Sequence, residues 1–154
     1  MHAHTPEGDG MATVELRFSA LPEHVRTARL VAAAVARRAG VDEAVLDEVR
    51  LAVGEACTRA VGLHLSHGVE APVRVVLTDE EKKFSIEVGD ETPTTAGLTP
   101  GSHPDVDEEP AAEGEDEMGL AVISGLVDDV EVTTSDTGGR IRMSWPTAPQ
   151  SLLP

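Results

Sequence analysis

The chain has 154 residues, a length that fits one domain with frayed ends and one long insertion. Hydrophobic residues make up 40% but aromatics only 2%, so a core has to be built from Ala, Val, Leu and Ile. Lys+Arg 12 against Asp+Glu 28 gives a net charge of −16, which repels nucleic acid and anionic membranes and favours a basic partner or plain solubility.

Residues 1–11 are polar, with Pro and Gly, and are expected to be a disordered tail. Thr13–Ala20 alternates, with Val14, Leu16 and Phe18 against Glu15 and Arg17, which predicts a half-buried strand. Pro22 opens a helix at its first turn and Gly40 ends it. Val25, Ala28, Arg29, Ala32, Val35 and Ala36 mark the inner stripe of that helix. Asp42 predicts the N-cap of a second helix running to about Ser66. Val45, Leu46, Val49, Ala52, Val53, Ala56, Ala60 and Val61 would face inward.

Val73–Thr78 and Lys83–Val88 predict a hairpin around a tight turn at Asp79–Lys82. Gly89–Glu117 is rich in Pro, Gly, Thr and acid, has no apolar period, and is too long for an ordinary connection; residues 91–117 are expected to be an acidic lid or insertion. Met118–Val127 predicts a short apolar helix. Val130–Ser135 and Arg140–Trp145 predict a second hairpin around Asp136-Thr137-Gly138-Gly139, and 147–154 a disordered tail. The order β-α-α-β-β-loop-α-β-β predicts an α+β two-layer sandwich over residues 12–146: a mixed, mostly antiparallel sheet with helices on one face.

One cysteine excludes an internal disulfide. No apolar run approaches the roughly 18 residues of a membrane span, and residues 1–10 lack the regions of a signal peptide. Together these features predict a soluble cytoplasmic protein.

Three segments carry candidate chemistry. The first is Leu51-Ala52-Val53-Gly54-Glu55-Ala56-Cys57-Thr58-Arg59-Ala60-Val61, where Glu55 and Arg59 share one helix face at i, i+4 spacing. The second is Ile86-Glu87-Val88-Gly89-Asp90-Glu91, a strand ending in an acid, followed by Thr92 and Pro93. The third is Glu117-Met118-Gly119-Leu120-Ala121-Val122-Ile123, then Leu126 to Val132. In this order and spacing they resemble the GHKL ATP-binding superfamily of histidine kinases and gyrase, and more narrowly the anti-sigma factor serine kinases of bacteria. The resemblance covers roughly Thr13 to Trp145.

The resemblance implies roles for single residues. Glu55 matches the base for phosphoryl transfer. Arg59 stands where the family has the Asn that holds a Mg²⁺ ion. A guanidinium has five donors and no acceptor, so it cannot ligate a metal. Two readings stay open: Arg59 pairs with Glu55 and neutralises it, or it contacts a phosphate in the metal's stead. Asp90 matches the acceptor of the adenine amino group, and Thr92 occupies the position of a close-approach Gly. Gly119 and Leu120 match the phosphate-cradling turn at a helix start, but Glu117 replaces its first Gly. The nucleotide-binding positions implied are thus Arg59, Asp90, Thr92, Gly119 and Leu120, with Glu55 a vestigial base and no metal ligand.

Charge adds a separate consideration. From Phe84 through Gly139 there is no Lys or Arg, and residues 91–117 hold nine acids. Two unit charges 4 Å apart interact by about 4 kcal/mol at an effective dielectric of 20. Phosphoryl transfer depends on stabilising negative charge, which such a segment opposes. The residues therefore lean away from an enzyme and toward a regulator that binds a sigma factor, an anti-sigma-factor antagonist or both, with no cofactor. ATP with Mg²⁺ belongs to the alternative, an active protein serine kinase acting on the antagonist. A homodimer through the sheet and first helix is implied by the resemblance alone. Elsewhere, Cys57 reads as a small buried hydrophobe, His64 and His67 as helix-end residues favoured by the dipole, and Trp145 as a core anchor.

Overall fold

The computed structural model describes residues 12–93 and 120–147. The expected tail 1–11, the expected tail 147–154 apart from Thr147, and residues 94–119 lie outside the described residues. Chain order runs β1 (Ala12–Phe18), α1 (Glu23–Ala39), a 3-10 turn (Glu43–Val45), α2 (Leu46–Ser66), β2 (Val73–Glu80), β3 (Lys83–Asp90), β4 (Asp129–Ser135) and β5 (Gly138–Pro146). Residues 120–126 are helical. The strands form one sheet in the order β1-β2-β3-β5-β4. Every pairing among them is antiparallel.

The two-layer sandwich follows from the alternation of side chains. Leu16, Phe18, Val73, Val75, Leu77, Phe84, Ile86, Val88, Ile141, Met143 and Trp145 point to one face and are buried. That face meets the buried stripes of α1 (Val25, Ala28, Ala32, Ala33, Ala36) and α2. Phe84 and Trp145 stack with ring centroids 6.4 Å apart, so the single tryptophan is a core residue. Burying a side chain of that size contributes about 1.5–3 kcal/mol.

The opposite face is solvated and laced by ion pairs. Glu15 accepts from Arg17 and Arg74, both at 2.8 Å, across β1 and β2. Glu87 pairs with Arg140, and Glu80 with Arg142, each at 2.9 Å. The Arg17 hydrogen bond foremost, then Arg74, holds the Glu15 carboxyl below its ordinary range against the opposing effect of burial.

Local signals set the element ends. Gly40 adopts φ 103° and closes α1, with its N–H on Arg37 O at 3.2 Å and the Val41 N–H on Ala36 O at 3.0 Å. Three sequence expectations shift. Asp42 caps not α2 itself but the 3-10 turn before it, accepting from the Ala44 N–H at 3.1 Å. Arg29 leaves the inner stripe of α1: it is exposed, and its stem lies across Gly54 of α2 while Ala33 takes a buried place. Gly138 and Gly139 belong to β5, leaving a two-residue turn at 136–137. The exposed side of α1 carries Arg26, Arg29, Arg37 and Arg38, so the acid excess is not spread evenly over the surface.

Candidate functional site

α2 supplies the first half of the site. Asp47 and Glu48 in its first turn suit the helix N-terminus, and Ala, Leu and Val predominate in its interior. With about 100° between successive residues, Gly54 and Val61 lie on the flank toward α1, while Ala52, Glu55, Arg59 and Leu63 lie on the other flank. Glu55 and Arg59 are each half-buried there.

The ion pair between Glu55 and Arg59, one of the two readings left open by the sequence, does not form. Arg59 Nε is instead buried and has no hydrogen-bond partner among the described residues. The i, i+4 spacing permits a pair but does not compel one, because rotamers decide whether long side chains meet. The reading of a neutralised base therefore falls. A guanidinium also fails as a metal ligand, since every one of its nitrogens is a donor. The residues present do not fit the Mg²⁺ site of the resemblance. Among the described residues, no group of three or more His, Cys, Asp or Glu could hold a metal.

The end of β3 supplies the second half. Asp90 is buried at 8% exposure, and its Oδ1 accepts the Thr92 N–H at 2.9 Å. This local loop is the turn chemistry expected of an aspartate. Thr92 is buried too, and its Oγ1 lacks a partner among the described residues. Behind Asp90 sits the start of β5. A Cβ on Gly138 would lie 2.0 Å from the Asp90 carbonyl oxygen, and one on Gly139 would lie 3.0 Å from Asp90 Oδ2. Both glycines therefore admit the close approach of β5 to Asp90, a role that reading them as turn residues misses.

His64 joins the two halves. It is fully buried, its Nδ1 lies 2.9 Å from Ala71 O, and its Nε2 lies 2.8 Å from the Glu91 amide nitrogen. Nε2 must accept, so the ring is neutral and Nδ1 carries the proton it donates to Ala71. The expectation of a helix-end cation is thereby overturned. The signal was available: position 64 continues the buried series Val53, Cys57 and Ala60 at helical spacing. His67 is exposed, with Nδ1 lying 3.0 Å from Leu63 O.

Cys57 is wholly buried and burial pushes its thiol up to about 12, so it is an inert core residue. Leu120 is half-buried in the helical run whose Ile123, together with Val127 just beyond it, enters the core. Gly119 and Glu117 lie outside the described residues. A cleft of about 440 Å³ borders Asp90 and Glu91, but its other walls are Arg74, Arg140 and the β4–β5 turn, and neither Glu55 nor Arg59 reaches it. Its arginines pair with Glu15 and Glu87. His64 thus links α2, which carries Arg59, to the loop that follows the buried Asp90.

Comparison with known proteins gives a consistent picture. Residues 18–145 match the family model described as "Histidine kinase-like ATPase domain". The chain is 29% identical over 142 residues to "Serine-protein kinase RsbW" of Oceanobacillus iheyensis, covering 85% of this chain and 84% of that protein. It is 29% identical over 154 residues to "Serine-protein kinase RsbW" of Halalkalibacterium halodurans, covering 94% of this chain and 86% of that protein. The fold is shared with the crystal structure of the RsbU and RsbW domains of Rv1364c from Mycobacterium tuberculosis, at a TM-score of 0.61 and 15% identity. That match covers 89% of this chain and 33% of the solved one, so the chain spans about a third of its length.

Proposed function

The chain belongs to the histidine kinase-like ATPase domain family, and on that premise we propose that it is an anti-sigma-factor-like regulator with lost or weakened ATP binding. It acts by contact with a sigma factor, an anti-sigma-factor antagonist or both. The observation that carries this reading is Arg59: a cation occupies the position of the metal-holding Asn, with its Nε buried and unpaired with Glu55. Phosphoryl transfer rests on positioning and on stabilising the phosphate charge, much of it through the metal. A protein without that metal keeps the scaffold's surfaces for binding. Its −16 charge would speed encounters with a basic partner at low salt.

The second reading is an active serine kinase that phosphorylates the antagonist. It is favoured by the retained Glu55 and by the printed names of the two relatives. Calorimetric titration with Mg-ATP and Mg-ADP separates the two. The regulator reading expects no heat at millimolar nucleotide, and capture of sigma factor that is indifferent to ATP. Micromolar binding of Mg-ATP would favour the kinase. Absence of sigma-factor and antagonist capture under both conditions would sink the regulator. Arg59→Asn is expected to rescue nucleotide binding only in part, since Thr92, Glu117 and the acidic residues of 91–117 remain.

A further inference from the structure

We infer that His64 is a positioning residue: its neutral imidazole holds the loop beginning at Asp90 at a fixed distance from the Glu55–Arg59 helix. This rests on Asp90 and Arg59 serving one site, as the resemblance behind the proposed function implies, but concerns how the site is held rather than what it binds.

Three contacts fix the Asp90 loop. Thr92 N–H is taken by Asp90 Oδ1 at 2.9 Å, Glu91 N–H by His64 Nε2 at 2.8 Å, and Gly138 backs the Asp90 carbonyl. The first is internal to the loop and the last comes from the sheet. Among the described residues, the His64 contact is the hydrogen bond that ties the loop to α2. Arg59 precedes His64 by five residues, about 7.5 Å along the helix axis. The imidazole thus sets where the acceptor stands relative to the cation.

A buried histidine is often only a satisfied core residue. Both partners of His64 distinguish it from core filler. The Glu91 N–H lies one residue beyond the last ladder pair of β3, Asp90 with Gly139, so the sheet offers it no acceptor. Ala71 lies in the connection between α2 and β2 and uses its carbonyl on Nδ1. One rigid ring therefore satisfies a backbone group in each of two irregular segments that secondary structure leaves open. It does so with one nitrogen donating and the other accepting, which a single tautomer provides.

The test uses the full chain without any ligand, so its outcome is separate from whether nucleotide or sigma factor binds. The imidazole ¹⁵N spectrum of the natural chain is expected to show His64 protonated on Nδ1 and bare on Nε2; the opposite tautomer, or a doubly protonated ring at neutral pH, overturns the proposal. His64→Gln and His64→Asn then separate the two roles. The longer amide reaches the Nε2 position and can accept from Glu91, whereas the shorter one reaches only toward Ala71. Hydrogen exchange at the Glu91 amide is expected to run about tenfold faster in the Asn variant than in the Gln variant. The Asp90 and Thr92 amide resonances are expected to move toward their natural positions only with Gln. Equal exchange in the two variants, or rescue by Asn instead, would reduce His64 to core filler. The tautomer measurement stands even if a variant does not fold.

Discussion

Replacing Gly138 by alanine puts a methyl carbon 2.0 Å from the Asp90 carbonyl oxygen. An ordinary carbon–oxygen contact is about 3.3 Å, so one backbone must withdraw by about 1.3 Å. The residue also has φ 155°, where a side chain is strained. Overpacking costs about 1–3 kcal/mol and a sparsely populated backbone about 1–3 kcal/mol more. A loss of about 3 kcal/mol is a large part of the 5–15 kcal/mol typical of a domain. With a urea slope of about 1–3 kcal/mol per molar, the unfolding midpoint falls by about 1 M or more. Gly62→Ala is the control. Nothing lies within 4 Å of its Cβ, and it is exposed within α2, so alanine should gain up to about 1 kcal/mol of helix propensity. Urea titration of both variants, with the Glu91 and Thr92 amide resonances as a local readout, tests the pair. A Gly138→Ala midpoint equal to that of the natural chain would refute the claim that β5 must approach Asp90 this closely.

Further outcomes follow from burial and charge. Cys57, with its thiol pushed up to about 12, should resist iodoacetamide in the folded chain and react fully in urea; rapid labelling of the native state would contradict its burial. Glu15 titrates below its ordinary 4.5 in the folded state, so its stabilisation is complete above that pH and is lost as pH falls through the lower folded value. Glu15→Gln should therefore flatten the acid limb of the stability curve below pH 4.5, and parallel limbs would count against the Arg17 and Arg74 bonds. Asp79 is shifted the other way, raised from 3.8 by burial, so its favourable contribution is present below 3.8 and disappears as pH rises through the folded value. Asp79→Asn should thus raise the urea midpoint at neutral pH, and a lower midpoint would reverse the assignment. Phe84→Ala, at a wholly buried position beneath Trp145, should cost about 3–5 kcal/mol by the same titration, with a loss below about 1 kcal/mol contradicting the packing.

Periodic segments were legible because one physical rule decides each of them. Alternation placed Phe84, Ile86 and Val88 inward, and the 3.6 period placed Val25, Ala28, Ala32 and Ala36. Arg29 was misassigned because the period reports direction, while an arginine at the stripe's margin can lay its stem along a neighbour and keep its charge in water. Spacing left two readings of Arg59 open because it states what is reachable, not which rotamer wins. His64 and Gly138 were misread for a common reason. Their partners, the Glu91 amide and the Asp90 carbonyl, lie 27 and 48 residues away in the chain and meet them only through the tertiary fold. The motif residues were found as letters, but the contacts that fix their geometry are nonlocal.

The sheet order leaves β4 as an edge, with all but one of its residues exposed. Such an edge presents unpaired amides and carbonyls that can template another strand. Here Asp129 and Glu131 stand on it beside the exposed Val132. Two copies meeting along this edge would bring like charges together in water. The acids thus oppose strand-to-strand pairing along this edge, and the chain's net negative charge adds to that repulsion at neutral pH. Storage or crystallisation near the chain's pI of about 4.6 is accordingly where strand-to-strand association through β4 should begin.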